Sequence, residues 1–201
     1  EYSKAKEYFL KSLEIARAIG DREAEGGVLG DIGYVYRSQG DHKTAVSYHE
    51  QHLEIARKIG NPASEGQALS DLGGSYVSLG EFRKAIDYYE QSLYIARVMK
   101  VPESAHLMNL GNIYDTIGNN TKAIDYLQQS VEIERKTKTF VALGKALHNL
   151  GVAFKNQGNL PAAEKALTEA IKTRECIRVN SGNDLNRVSI FDTLTNTYRI
   201  L

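Results

Sequence analysis

Apolar residues return along this chain at the spacing of a helix face. Leu69, Leu72, Gly73 and Tyr76 stand at i, i+3, i+4 and i+7, which lines one side of a helix of 3.6 residues per turn. The pattern repeats. Gly33, Gly73, Gly111 and Gly151 are 40, 38 and 40 residues apart, each with an aliphatic residue just before it (Ile32, Leu72, Leu110, Leu150) and an aromatic three residues after (Tyr36, Tyr76, Tyr114, Phe154). Seven residues after each comes a second glycine, at Gly40, Gly80, Gly118 and Gly158, and five further an alanine, at Ala45, Ala85, Ala123 and Ala163. This predicts helices at roughly 2–18, 22–39, 42–59, 62–79, 82–99, 103–117, 120–137, 140–157, 160–179 and 186–201.

Each recurring residue has a mechanical reason. A glycine inside a helix costs about 1 kcal/mol against alanine, so one in every period implies backbone contact with a neighbouring helix that a Cβ would block. The second glycine falls where the periodic face stops and reads as a left-handed C-terminal cap, with Asp41, Glu81, Asn119 or Asn159 after it to start the next helix. The alanines put a small residue where the two helices of a pair cross, and Tyr48, Leu53 and Ile55, with Tyr88, Leu93 and Ile95, continue the second helix's apolar face. Pro62 and Pro102 are expected just inside a first helix and Pro161 near the start of a second, where proline costs least. One hairpin cannot bury its own apolar face, whereas stacked hairpins share a continuous core.

The run L-G-x-x-Y, then Gly, then Ala resembles the tetratricopeptide repeat in a form with a period near 40. The resemblance covers residues 1 to about 180. It implies an all-α, right-handed superhelical solenoid of antiparallel hairpins, about five repeats in a single domain over 1–201, with first helices on the concave wall. Residues 1–20 align with the second helices (Ala5 with Ala45, Tyr8 with Tyr48, Leu13 with Leu53), so they read as half of a truncated repeat. Full repeats are expected at 21–60, 61–100, 101–138 and 139–180. Phe191, Leu194 and Tyr198 reproduce the first-helix spacing over 184–201, with Thr195 in the glycine slot. Both terminal repeats read as incomplete and uncapped, which suggests an excerpt from a longer polypeptide and weak self-association through the ends. Glu175 to Leu201 looks like the segment leading from repeat arrays into a CHAT domain, a caspase-like protease fold of bacterial multidomain proteins. That family's catalytic His and Cys would lie beyond Leu201, so no catalytic residue is carried over.

Composition narrows the classes. The 25 Lys plus Arg balance 25 Asp plus Glu, and interspersed charge argues against a nucleic-acid partner. No window approaches the roughly 18–20 apolar residues of a membrane span, and the first residues are unlike a secretory signal. The lone cysteine, Cys176, fits a reducing, cytoplasmic setting and gives no metal cluster. His49 and His52 lie three apart and could in principle face a metal, but the zinc-protease pattern needs four with a glutamate between. The repeat alignment puts them on the interhelical face, where the family usually has an aromatic and an alanine, so that unit should pack less tightly. Gly26, Gly27, Gly30 and Gly33 follow no strand and are no phosphate loop. The pair Asp31 and Asp71 arises from the period. The chain reads as non-enzymatic, with no cofactor.

A partner would meet the columns that the first helices turn away from the core. Two residues before the key glycine stand Asp31, Asp71, Asn109 and Asn149; one after it, Tyr34, Gly74, Asn112 and Val152; four after it, Arg37, Val77, Asp115 and Lys155. Three before it are Gly30, Ser70, Met108 and His148, and six before it Gly27, Gln67, Ala105 and Lys145. Along these columns the first half of the chain is more acidic and the last repeat more basic. Family members that clamp a C-terminal carboxylate do so with lysine and asparagine on the inner helices; the residues three before the glycine here include no lysine, so a terminal-carboxylate ligand is disfavoured. The expected function is a protein-interaction scaffold holding a peptide or helical segment in a concave groove through Tyr34, Asp71, Asn109, Asn112, Asn149 and Lys155, with Tyr34 and Met108 as apolar anchors. The alternative is the regulatory or sensor arm of a larger protein with a CHAT protease downstream. Any array must also expose a solvated face.

Overall fold

The computed structural model describes residues 2–181, and among them the regular structure is entirely α-helical. The helices are α1 (Tyr2–Ile19), α2 (Arg22–Ser38), α3 (His42–Ile59), α4 (Pro62–Ser78), α5 (Phe82–Met99), α6 (Ser104–Thr116), α7 (Asn120–Thr137), α8 (Phe140–Gln157) and α9 (Leu160–Ser181). The helix expected at 186–201 and the CHAT-linker resemblance beyond Ser181 lie outside the described residues, as does the side chain of Cys176. Two compact units form, Glu1–Val101 and Pro102–Leu201. In the first, α1 to α5 pack each on the next and α2 also touches α4; in the second, α6 to α9 do the same and α6 touches α8.

The key glycines sit in tight notches, with a difference from the expected backbone-to-backbone contact. A Cβ on Gly33 would stand 2.5 Å from the His49 ring, on Gly73 3.0 Å from the Tyr89 ring, and on Gly111 and Gly151 2.6 Å from Cγ of Leu127 and of Leu167. The obstacle is therefore chiefly the side chain sixteen residues on; at Gly111 and Gly151 a carbonyl is also near, Ala123 O at 3.2 Å and Ala163 O at 3.3 Å. Ala45, Ala85, Ala123 and Ala163 are all buried. Paired tyrosines lock each of the first three full hairpins face to face: Tyr36 on Tyr48 at 5.4 Å, Tyr76 on Tyr88 at 5.3 Å and Tyr114 on Tyr126 at 5.6 Å. Lys6, Lys84 and Lys122 lie over the first ring of each pair.

Helix ends follow the punctuation. Gly40, Gly80, Gly118 and Gly158 all have positive φ, as the cap requires. Asp41, Asn119 and Asn159 accept a backbone N–H in the next helix's first turn, whereas Glu81 makes no such bond. Asn61 caps α4 through Ser64 N at 3.1 Å, just ahead of Pro62 in the first turn. Asn61→Ala should cost about 1 kcal/mol of stability in a thermal melt, while Glu81→Ala leaves the melt nearly unchanged. Pro102 departs from expectation. It lies ahead of α6, which starts only at Ser104: Lys100 takes the left-handed conformation that ends α5, and a proline pushes the residue before it away from helical geometry. Ion pairs recur too. Arg17 Nε binds Glu25 at 2.9 Å and Arg57 Nε binds Glu65 at 2.8 Å, joining a second helix to the following first helix at positions exactly one period apart in type and number.

Candidate functional site

His49 and His52, the strongest metal candidates in the sequence, point inward. Both are buried in α3 against the glycines of α2, and His52 Nε2 lies 2.9 Å from Ser64 Oγ. The two ring nitrogens of His49 and Nδ1 of His52 have no hydrogen-bond partner. Burial, with the charge of Arg37 and then His52 adding to it, pushes the His49 imidazole down to about 4. Burial lowers His52 as well. They are packing residues, and no group of three or more metal-ligating side chains occurs among the described residues. Gly30 belongs to this packing: it is buried, and a Cβ there would stand 2.9 Å from His52 Nδ1. It is therefore no part of an exposed column.

The first unit's outward columns gather on α2 and α4. Tyr34 is 58% exposed, and the guanidinium of Arg37 lies 5.4 Å from its ring centre. Arg37 then reaches across to α4, where its Nη1 fills the space a Cβ on Gly74 would take. Asp71 is half-buried and accepts from Gln67 Nε2 at 3.1 Å. Its pKa is raised, mainly by burial, against the opposing Gln67 bond and Arg37 charge, with Asp31 adding to the rise. Burial raises Asp31 too. So Asp31 and Asp71, which the period alone explains in sequence, also share one electrostatic field. Arg37 and Asp31 stand in the predicted columns. Tyr89 does not: it enters from α5, and its hydroxyl comes within 3.4 Å of the missing Gly74 Cβ. Its only sequence signal is an aromatic in the slot where His49, Leu127 and Leu167 stand.

The second unit presents amides on α6 and α8. Asn149 Nδ2 donates to Asn112 Oδ1 at 2.8 Å, and Asn156 Nδ2 reaches both carboxylate oxygens of Asp115 at 3.0 Å. Asn112 is exposed, Asn109 and Asn149 half-buried, and Lys155 exposed in the last turn of α8. Two of the predicted residues are thus bonded to one another, which the columns did not anticipate, and Asn156 was missed because it stands five after the key glycine.

Models of the tetratricopeptide repeat match residues 1–58, 26–97, 102–175 and 67–136. The chain belongs to the tetratricopeptide-repeat family. Repeats of this family generally mediate protein–protein interaction and are typically non-catalytic scaffolds. No curated protein matches the chain in sequence. Among solved structures, BtubC (BKLC) from P. vanneervenii superposes with a TM-score of 0.83 at 18% identity, over 100% of this chain and 84% of that one. Aspartyl phosphate phosphatase F from Bacillus subtilis gives 0.81 at 17%, over 98% and 56%. A signal transduction ATPase with numerous domains and a tetratricopeptide repeat sensor, from Pyrococcus horikoshii, gives 0.76 at 22%, over 97% and 34%. These likenesses are of fold. The family matches end at residue 175 and lend the CHAT linker no support. No helix among the described residues is long and apolar enough to cross a membrane.

Proposed function

We propose that this tetratricopeptide-repeat chain is a docking module that holds an extended peptide segment on the polar faces of its first helices. The observation that carries the reading is the bonded pair Asn112 and Asn149. Once Asn149 has donated one N–H to Asn112, the pair still offers the amino group of Asn112 and accepting capacity on the carbonyl of Asn149. A donor beside an acceptor is what a peptide unit in extended conformation needs, since its own C=O and N–H are not satisfied internally. Asp115 with Asn156, farther along the same two helices, repeats the arrangement of a fixed polar pair. A helical segment would have its backbone groups already bonded and would use these amides less. Within the second unit, Met108 on α6 supplies apolar surface for side chains, and Tyr34 on α2 does the same within the first.

The test is selection of random linear peptides on the wild-type chain, followed by affinity measurement on the double variant Asn112→Ala/Asn149→Ala. Two lost hydrogen bonds should weaken binding by about tenfold or more, with the melting temperature unchanged and with Gln128→Ala, on the exposed side of α7, binding as wild type. Equal affinity of the double variant for every selected peptide would refute this reading.

A further inference from the structure

The fourth hairpin lacks what fills the other three. Tyr36, Tyr76 and Tyr114 each stack on a tyrosine twelve residues later, Tyr48, Tyr88 and Tyr126. The same offset from Phe154 falls on Ala166. In the second and third hairpins the ammonium over the first ring comes from Lys84 and Lys122, eight residues after the tyrosine. That offset from Phe154 falls on Ala162. Two alanines thus replace a phenol and a lysine stem at once, and among the described residues Phe154 has neither a stacked ring nor an ammonium over it.

The space has not closed. Phe154, Ala162 and Ala166 line an open hollow of about 460 Å³ between α7 and α9, floored by the buried residues Val131, Leu147 and Leu150. A void forfeits the contacts of the side chains around it, and one of this size is in the range of sites that bury small groups. At its rim Glu169 pairs with Arg135 at 2.6 Å and Glu132 with Lys136 at 2.8 Å, so the carboxylates there are matched. Lys165, also at the rim, is exposed and makes no ion pair among the described residues. The charge left over is positive.

We propose that this hollow seats the ring of a phenylalanine or tyrosine from a partner polypeptide, stacked on Phe154 in the place that Tyr126 takes one repeat earlier, with an aspartate or glutamate beside that ring in the partner meeting Lys165. The three preceding hairpins supply the reason for a ring, since each holds a phenol at this place against the aromatic of its first helix. An aliphatic side chain would fill part of the volume and forgo the ring-on-ring contact. A basic neighbour would face Lys165 without compensation, so the rim selects against it. The hollow shares no residue with the Asn112 and Asn149 pair, and the proposal goes beyond the docking reading built on that pair.

Random linear peptides selected on the wild-type chain are counter-selected on Ala166→Tyr, which restores the tyrosine of the other hairpins and plugs the hollow from within. The expected result is a class of peptides with an aromatic residue at a fixed place and an acidic residue beside it, which loses about tenfold or more on Ala166→Tyr and nothing on Asn112→Ala/Asn149→Ala. Lys165→Glu should weaken the same class. Replacing the peptide's aromatic residue by alanine should cost as much on the wild-type chain, a comparison that stands whether or not the variants fold. Equal binding by the alanine peptide, a class without an aromatic residue, or no class sensitive to an Ala166→Tyr chain that melts as a folded protein would each overturn the proposal while leaving the docking reading intact; failure to select any peptide would overturn both. Wild-type self-association that Ala166→Tyr abolishes would give the hollow to a second copy, and capture that appears only in Phe191→Ala/Tyr198→Ala would give it to the chain's own last residues. Either result overturns the proposal.

Discussion

His49→Leu should stabilise the chain by about 1–3 kcal/mol at neutral pH and flatten its acid limb. The first part follows from two ring nitrogens that are buried without partners, since leaving a buried polar group unsatisfied costs about 1–3 kcal/mol. Leucine fits the space: Leu127 and Leu167 fill the equivalent slot against Gly111 and Gly151, as closely as His49 stands to Gly33. The second part follows from titration. The folded imidazole is depressed from 6.5 to about 4, so between those values the unfolded chain binds a proton that the folded chain does not. Stability therefore falls as pH drops through about 6.5 and levels off below about 4, a total of about 3 kcal/mol for this group. Asp31 and Asp71 act in the opposite sense, because carboxylates with raised pKa are relieved by protonation. The difference between wild type and variant isolates the histidine. Urea melts near neutral pH and near pH 5 measure it, and an acid loss equal in both proteins would show that His49 carries no such penalty.

The fold was legible because two independent signals agreed along most of the chain. The apolar stripe with its glycine notch gave the packed face, and the capping glycines gave the ends, so α2, α3, α4, α5, α7 and α8 lie within a residue of the expected spans. The one clear misplacement, Pro102, fell where a lysine rather than a glycine takes the left-handed turn. A pattern built on glycines is blind to that. Lys138 does the same one repeat later, again without a sequence mark.

The candidate site was legible as columns and opaque as contacts. Spacing places Asp31 beside Asp71 and Asn109 beside Asn149, since residues in one register on neighbouring first helices must be lateral neighbours; Asn112, one after its glycine, stands in a different column from Asn149, two before its own. It does not say which of them bond. The Asn112 to Asn149 bond depends on side-chain torsions, and the course of Arg37 depends on an absence, the side chain that Gly74 lacks. In sequence Gly74 is merely the second glycine of a pair. Tyr89 was hidden for a different reason: it belongs to the packed face of α5, and only its hydroxyl reaches the outward face of α4.

Gly111→Ala should destabilise the chain by about 1–3 kcal/mol, the usual range for overpacking a filled site, even though alanine is intrinsically the better helix former by about 1 kcal/mol. The new Cβ would meet Leu127 Cγ at 2.6 Å and Cδ2 at 3.0 Å, with Ala123 O at 3.2 Å. Cγ is a branch point near the backbone rather than a free end, and the leucine is fully buried, so it cannot swing aside without displacing its own neighbours. Gly73→Ala is the milder case, because the face of the Tyr89 ring, at 3.0 Å, can tilt. Gly27→Ala should go the other way and stabilise by up to about 1 kcal/mol, since nothing lies within 4 Å of its Cβ position. The decisive form is a double-mutant cycle with Leu127→Ala. If the notch exists to admit Leu127, the alanine at 111 should partly refill the cavity that truncation leaves, and the two costs should sum to clearly more than the cost of the double variant. Strict additivity in thermal or urea melts would mean that the glycine is kept for some reason other than this contact.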